Sequence, residues 1–297
     1  MHPRFAKPLD TLPAPLKAAL LPMLNPADGS AFNARFTPDQ VATLKAASGL
    51  DDRALRLVLL PLAAACSVAP ISKFFVGAIA CGLSGTWYFG ANMEFAGQGL
   101  FHSVHAEQSA ISNAWLGGET GISEITVNYT PCGHCRQFMN ELSTAKTLKV
   151  SLPDDLSALQ SFLPHSFGPA DLDITDALMS PQSHDELALE SEDPLWQAAL
   201  AAARQSYAPY SQGYAAVALQ FADGRLFCGR YAENAAFNPS LPPMQMACAH
   251  AVLNGADLAI IRRAVLLESK NGQISQRDAA QSTLKALGSV ELEYLAV

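Results

Sequence analysis

An α/β protein is predicted, built as two copies of one fold behind a small helical segment, and three observations predict it. The segment Ala208-Pro209-Tyr210-Ser211 echoes Ala69-Pro70-Ile71-Ser72, and Phe227-Cys228-Gly229-Arg230-Tyr231-Ala232-Glu233-Asn234 loosely echoes Tyr88-Phe89-Gly90-Ala91-Asn92-Met93-Glu94. Such self-similarity marks a repeated structural unit. Helical and strand patterns alternate between residues 49 and 150, as in a sheet covered by helices. At 297 residues, with 49% apolar and 15% charged side chains, the chain has core enough for more than one folded unit and too little charge for disorder.

Residues 1–48 are expected to be helical and to carry no chemistry. Residues 16–24 form an apolar run, and Thr37-Pro38-Asp39-Gln40 is a capping box that opens a helix to about Ala47, stopped by Ser48-Gly49. Asp51-Asp52 starts a helix through Cys66, and Ala69-Pro70-Ile71-Ser72 turns the chain into a strand over residues 75–81. A Gly-Leu-Ser-Gly turn returns it as a strand over residues 87–91. A helix from about His105, a strand over residues 124–128 and a helix from Cys132 complete the unit, which spans residues 49–150. Residues 151–192, rich in Pro, Asp and Ser, are expected to be a linker or lid with an ordered patch at 163–169, and residues 193–297 hold the second copy.

Several classes are excluded. The longest apolar run, residues 57–71, contains Pro61 and Pro70 and falls short of the roughly 18 residues a membrane span needs, so a buried helix is expected there. Pro3, Pro8 and Pro13 break up the first residues, which have no apolar stretch of a secretory signal. Cys66, Cys81, Cys228 and Cys248 sit among apolar neighbours, as reduced thiols of a cytoplasmic protein do. A formal net charge of −8 argues against a nucleic-acid partner, whose phosphates need lysine and arginine.

The chemistry concentrates in His105-Ala106-Glu107 and, after 23 residues, Pro131-Cys132-Gly133-His134-Cys135. These supply three zinc-type ligands, His105, Cys132 and Cys135, and one carboxylate, Glu107. A structural zinc takes four protein ligands, whereas three leave a position open for water or substrate. Two thiolates offset the charge of the ion, so one zinc per chain could activate water near neutral pH with Glu107 as its base. On a helix His105 and Glu107 would point about 200° apart, but a bent N-terminus can aim both at one pocket. Cys132 and Cys135 share a helix face, with Pro131 in the first turn, so two helix N-termini face the metal and favour thiolate. His102 and His134 are expected on the surface or beside the metal, not on it. Arg136 is expected to donate hydrogen bonds to a thiolate.

Upstream lie Phe74-Phe75-Val76-Gly77-Ala78 and Gly90-Ala91-Asn92-Met93-Glu94-Phe95. Together with the H-x-E and P-C-x-x-C elements they give the chain a resemblance to the zinc-dependent cytidine deaminases. Over essentially all 297 residues it is similar to the large two-domain bacterial type, with a helical leader, a catalytic domain, a linker and a degenerate domain. The resemblance implies that each copy is an α/β/α sandwich, a mixed sheet flanked by helices, and that the activity is hydrolytic deamination of cytidine and 2′-deoxycytidine in pyrimidine salvage. It also implies that Phe74 packs on the pyrimidine, that the Ala106 N–H and Thr130 carbonyl read the base edge, and that Asn92 and Glu94 hold the ribose 3′-hydroxyl. A carboxylate there would repel a 3′-phosphate. It further implies a homodimer with active sites near the subunit interface, in which Phe167 from one linker closes the other pocket.

In the second copy Met246-Ala247-Cys248 is expected to match His105-Ala106-Glu107, with Asn254 aligned to Asn113, so ligand and base are both lost. No P-C-x-x-C follows, and that half is expected to be supportive. Two alternatives stay open. A deaminase of another free base, a nucleotide or an RNA base would share the metal chemistry, and Asn92 and Glu94 weigh against it. A zinc-stabilised binding module without catalysis is opposed by the presence of Glu107.

Overall fold

The computed structural model describes residues 1–288 and 290–297. The leader comprises α1 (Ala6–Asp10), α2 (Ala14–Leu24), β1 (Arg35–Phe36) and α3 (Pro38–Ser48), followed by α4 (Asp52–Ala64). The capping box of α3 forms as expected: the Thr37 hydroxyl accepts from the Gln40 N–H and the Gln40 side chain accepts from the Thr37 N–H. Gly49 then ends the helix in the left-handed region, where a glycine pays no steric penalty. Asp51 caps α4 by accepting from the Ala54 N–H. The expected helix through Cys66 stops at Ala64, because Cys66 and Ser67 bond three residues back to Ala63 and Ala64 and tighten the chain out of the α form. Residues 65–71 of the long apolar run therefore leave the helix.

The first sheet contains β2 (Gly77–Gly82), β3 (Trp87–Ala91), β4 (Ile122–Val127), β5 (Lys149–Ser151) and β6 (Leu156–Ala158), in the order β1-β3-β2-β4-β5-β6. β2 lies antiparallel to both β3 and β4, while β4 and β5 are parallel, so the sheet is mixed. Alternation along β2 divides the layers. Ala78 and Ala80 face α5 (Ala106–Leu116), whereas Ile79 and Cys81 join α4 and the leader in a core with Phe5, Phe32, Phe36 and Phe89. The leader is thus one covering layer of the sandwich. Arg56 enters that layer beneath Trp87 and is neutralised by Glu124 at 2.5 Å, with a further bond to Thr126.

β5 and β6 extend the sheet to Ala158, into the stretch expected to be linker. Strands of three residues are too short for alternation to reveal them. After α6 (Gly133–Met139) and α7 (Leu159–Phe162), the rest of the linker is also packed: Leu178 bonds to Glu141 and Ser143, and His184 stacks on Tyr214 at 3.5 Å between ring centres.

The second half runs α8 (Pro194–Ala203), β7 (Ala215–Phe221), β8 (Leu226–Arg230), α9 (Pro243–Leu253), β9 (Ile261–Glu268), α10 (Arg277–Leu287) and β10 (Leu292–Ala296). Its order β10-β9-β7-β8 reproduces β5-β4-β2-β3, and the irregularity at Cys81/Gly82 recurs at Gln220/Phe221. One fold is repeated. A Cβ on Gly90 would overlap the Ala106 carbonyl and the Ala110 amide of α5; a Cβ on Gly229 would overlap the Pro243 carbonyl and the Ala247 amide of α9. These close approaches fix the phase of each helix against its sheet and correct the expected alignment. The residues matching His105-Ala106-Glu107 are Pro242-Pro243-Met244, one helical turn before Met246-Ala247-Cys248, and Asn113 matches His250 instead of Asn254. The error came from anchoring on an asparagine, while the loop before α9 is two residues shorter: Met93 pairs with Val104, and Ala232 with Leu241. Ligand and base are absent in either register.

The halves share one core across α5 and α9. At their junction the fully buried Glu141 accepts from the Tyr207 hydroxyl at 2.8 Å, the Tyr210 hydroxyl at 2.5 Å and the Ala235 N–H at 2.9 Å. Burial raises the pKa of Glu141, and these bonds oppose the rise. Arg230 answers from the other side, its guanidinium 3.9 Å from the centre of the Trp115 ring and bonded to the Trp115 carbonyl. Glu141→Ala strands three donors, two of them buried, and is expected to lower stability by about 3 kcal/mol or more. Urea unfolding checks this: an unchanged midpoint would show that the junction does not depend on the carboxylate.

Candidate active site

His105 is the N-cap of α5, with extended backbone (φ −87°, ψ 156°), and Glu107 sits in the first turn. The 200° problem disappears because His105 is not on the helical wheel at all. Cys132 is likewise the N-cap of α6, and Cys135 lies three residues on, so Pro131 precedes the cap and does not occupy the first turn. The two sulfurs are 3.6 Å apart, and His105 Nδ1 lies 3.4 Å from Cys132 Sγ and 3.2 Å from Cys135 Sγ. A tetrahedral zinc bound at ordinary lengths sets edges of about 3.8 Å between sulfurs and about 3.5 Å from sulfur to nitrogen. The donors fit. Among the described residues no other group of three such donors converges in this way.

The protons in this set are shared. Hydrogen bonds from Cys135 and His105 hold the Cys132 thiol down to about 3, while its bond to Cys132, with burial, pushes Cys135 up. A divalent cation can take the place of those shared protons. Glu107 is 4% exposed; burial raises its pKa, and its backbone N–H, Cys135 and His105 pull only partly against that rise. A carboxyl so placed can both take and return a proton.

Glu107 and the three donors line a cavity of about 420 Å3 together with Phe74, Asn92, Glu94, Ala106 and Thr130. A larger hollow of about 800 Å3 beside α3 and α4 has no such donor set, and its Lys45 and Arg56 are already paired with Asp52 and Glu124. Phe74 is half exposed and packs on Tyr129 at 4.5 Å between ring centres. Asn92 accepts from the Val76 N–H and donates to the Phe74 carbonyl, both at 2.9 Å, and so sets where Phe74 lies. Glu94 accepts from the N–H groups of Ile71 and Ser72 and from the Ser72 hydroxyl. Burial raises its pKa, but the bonds from Ser72 and Ile71 outweigh that and hold it below the usual carboxylate range. Glu233 binds Tyr210 and Ser211 in the same way, so this fastening belongs to the repeated fold. Asn92 keeps one N–H and one lone pair free of these bonds, and Glu94 about one acceptor site.

Arg136 is near the sulfurs but directs its bonds elsewhere, from Nε to the Pro131 carbonyl at 2.7 Å and from Nη1 to the Phe162 carbonyl at 2.8 Å. The expected bond to a thiolate is not among them. With Cys132 as the N-cap, Arg136 lies a turn later and reaches back to the carbonyl that precedes it. Phe167 is 46% exposed on a surface loop outside its own chain's cavity, its carbonyl held by Gln137 and Asn140. His134 stacks on His105 at 4.9 Å. His102 is not on the surface: it is buried between the halves, 2.9 Å from Gln245 Nε2 and 3.1 Å from Thr283 Oγ1. Among the residues that escaped the sequence reading are Tyr129, in the cavity wall, and Gln108, behind His105. Gln108 bonds to the His105 N–H three residues back, the spacing of half a capping box.

His105→Ala removes one of three donors and is expected to reduce bound zinc from about one per chain to a small fraction of that. Elemental analysis of the purified variant checks this, and undiminished zinc would place the ion elsewhere.

Comparison with known proteins accords with this geometry. The cytidine and deoxycytidylate deaminase zinc-binding region matches twice, over residues 51–151 and 159–281. The cytidine deaminase of Aeromonas salmonicida is 92% identical over all of both chains, and that of Shewanella amazonensis is 53% identical over 100% of this chain and 99% of its own. The crystal structure of cytidine deaminase from Mycobacterium tuberculosis is 27% identical, covering 40% of this chain and 99% of that one, with a TM-score of 0.37. With two matched zinc-binding regions and full-length relatives at this identity, the chain belongs to the zinc-binding cytidine and deoxycytidylate deaminase family.

Proposed function

We propose that the chain hydrolyses the amino group of cytidine and 2′-deoxycytidine, giving uridine or 2′-deoxyuridine and ammonia, with Glu107 as proton carrier and His105, Cys132 and Cys135 as ligands of one Zn2+ per chain. The observation that carries this reading is that a buried carboxyl, a three-donor metal set and a wall of Phe74, Asn92 and Glu94 line one cavity of about 420 Å3. That size is in the range of small-molecule sites, and a net charge of −8 gives no help to a polyanionic substrate.

When bound, zinc supplies Lewis-acid polarisation and brings the pKa of a water at the open coordination position toward neutrality. Glu107 accepts a proton from the attacking water and delivers it to N3 while the water oxygen bonds to C4. The second water proton passes through the same carboxyl to the amino nitrogen, the C4–N bond breaks, and ammonia leaves. The raised pKa of Glu107 suits a group that works in both directions. Phe74 packs on the pyrimidine, and the Ala106 N–H and Thr130 carbonyl read its edge. The capacity left on Asn92 and Glu94 holds the 3′-hydroxyl, and the charge of Glu94 disfavours a phosphate there. Arg136 braces the carbonyl next to Cys132.

The partner in this reading is a second copy of the chain. Phe74, Leu100 and Tyr129 line the cavity yet are about half exposed or more, and Phe101 next to Leu100 is exposed as well, a cluster that favours cover by another surface. Phe167 of one subunit closes the pocket of the other. The unpaired cysteines favour a cytoplasmic setting, and no helix among the described residues is long and apolar enough to cross a membrane.

Glu107→Ala is expected to keep its zinc and lose turnover of cytidine by about 10²–10⁴-fold or more, with cytosine and cytidine 3′-monophosphate poor substrates of the parent. An ultraviolet assay with metal analysis checks both, and a near-normal rate in the variant would end the assignment. Light scattering should return twice the 31.5 kDa chain mass, and Phe167→Ala should raise KM for cytidine without loss of zinc. A monomer of full activity would refute the shared pocket.

A further inference from the structure

Gln108 is 1% exposed, and both ends of its carboxamide are bonded. Its Oε1 accepts from the backbone N–H of His105 at 3.2 Å, and its Nε2 donates to the carbonyl of Pro239, in the other half of the molecule, at 3.1 Å. The His105 imidazole faces the sulfurs and caps no backbone amide of its helix. Its main chain is thereby tied through one side chain to the half that has neither ligand nor base. We infer that Gln108 is a positioning residue through which the non-catalytic half holds the metal ligand His105.

The repeat contains its own comparison. With Ala106 matched to Pro243, Gln108 is matched to Gln245, which is also 1% exposed. Gln245 reaches across in the opposite direction: its Nε2 lies 2.9 Å from His102 Nδ1 and 3.2 Å from Thr283 Oγ1. His102 and Pro239 stand at matching places, each two residues before the Val104 and Leu241 bridges. The two glutamines therefore form reciprocal links across the junction of α5 and α9. They differ at the other end. The residue matching His105 is Pro242, which has no N–H, and Gln245 Oε1 is buried without a partner. One glutamine only joins the halves; the other joins them and also holds a ligand in place. Outer partners of this kind typically affect metal affinity by about 10- to 100-fold.

Three variants of the full-length zinc-loaded protein test this, read by zinc transfer to a chromogenic chelator and by the visible absorption of the cobalt-substituted form. Gln108→Met removes both bonds at nearly constant volume, Gln108→Glu keeps the acceptor for His105 but opposes a carboxylate to the Pro239 carbonyl, and Gln245→Met breaks only the reciprocal link. Both Gln108 variants are expected to release zinc about tenfold faster or more and to shift the cobalt bands, since these report ligand geometry. Gln245→Met should lower the unfolding midpoint yet release zinc within about twofold of the parent, its cobalt spectrum unchanged. Equal release from Gln108→Met and Gln245→Met would reduce Gln108 to a packing residue and overturn the inference. Release at the parent rate from Gln108→Glu would overturn the part given to the second half, and this variant decides alone if Gln108→Met does not fold. The readouts are metal retention and ligand geometry, so they stand or fall apart from the substrate assignment.

Discussion

Three donors from two separate helix starts must reach one ion while a carboxyl stays buried beside them, and the rest of the first half is arranged around that requirement. Nitrogen and sulfur donors lie 3.2–3.6 Å apart although His105 and Cys132 are 27 residues distant in the chain. N-cap positions make this possible. A capping residue has extended backbone, so its side chain leaves the helical wheel and turns beyond the helix start, where the dipole favours an anion. Glu107, in the first turn, is then carried below the surface by α5, whose first ten residues are all buried.

Burying α5 so thoroughly needs cover on every side. The sheet supplies one, through the alanines of β2 and the close approach at Gly90; α9 of the second half supplies another. The second copy therefore has a physical role without ligands of its own. It keeps water away from the back of α5, receives the Gln108 side chain, and meets Glu141 with two tyrosines just beyond α6. Both helices that present metal donors are thus anchored on the half without them. The loop over residues 71–76 is built by the same economy: Asn92 and Glu94 fasten it and, in the proposed site, also meet the sugar. Glu233 makes the same fastening in the half without metal donors, so the bond set holds its loop independently of any ligand.

Much of the site was legible because its signals are local. Cap residues, the C-x-x-C spacing and the H-x-E element act over one helical turn, and Phe74, Asn92, Glu94, Ala106 and Thr130 all line the cavity of His105 and Glu107. What failed was long-range. The phase of α9 depends on which atoms pass over Gly229, and a single matching asparagine misled by one turn. Arg136 finds carbonyls instead of sulfur because Cys132 is a cap, and His102 is buried because Gln245 and Thr283 come from residues more than 140 positions later.

The amino-acid order by itself determined the donor types, their helix starts, the duplicated α/β plan and the loss of chemistry in one copy, since each is written within a few residues of chain. Only the tertiary structure decided how the two copies meet, which short strands β5 and β6 complete the first sheet, and where each buried polar side chain finds its partner. Those outcomes rest on contacts between segments far apart in sequence. Such contacts follow from packing shape and the need to satisfy every buried donor, and neither leaves a periodic mark on the chain.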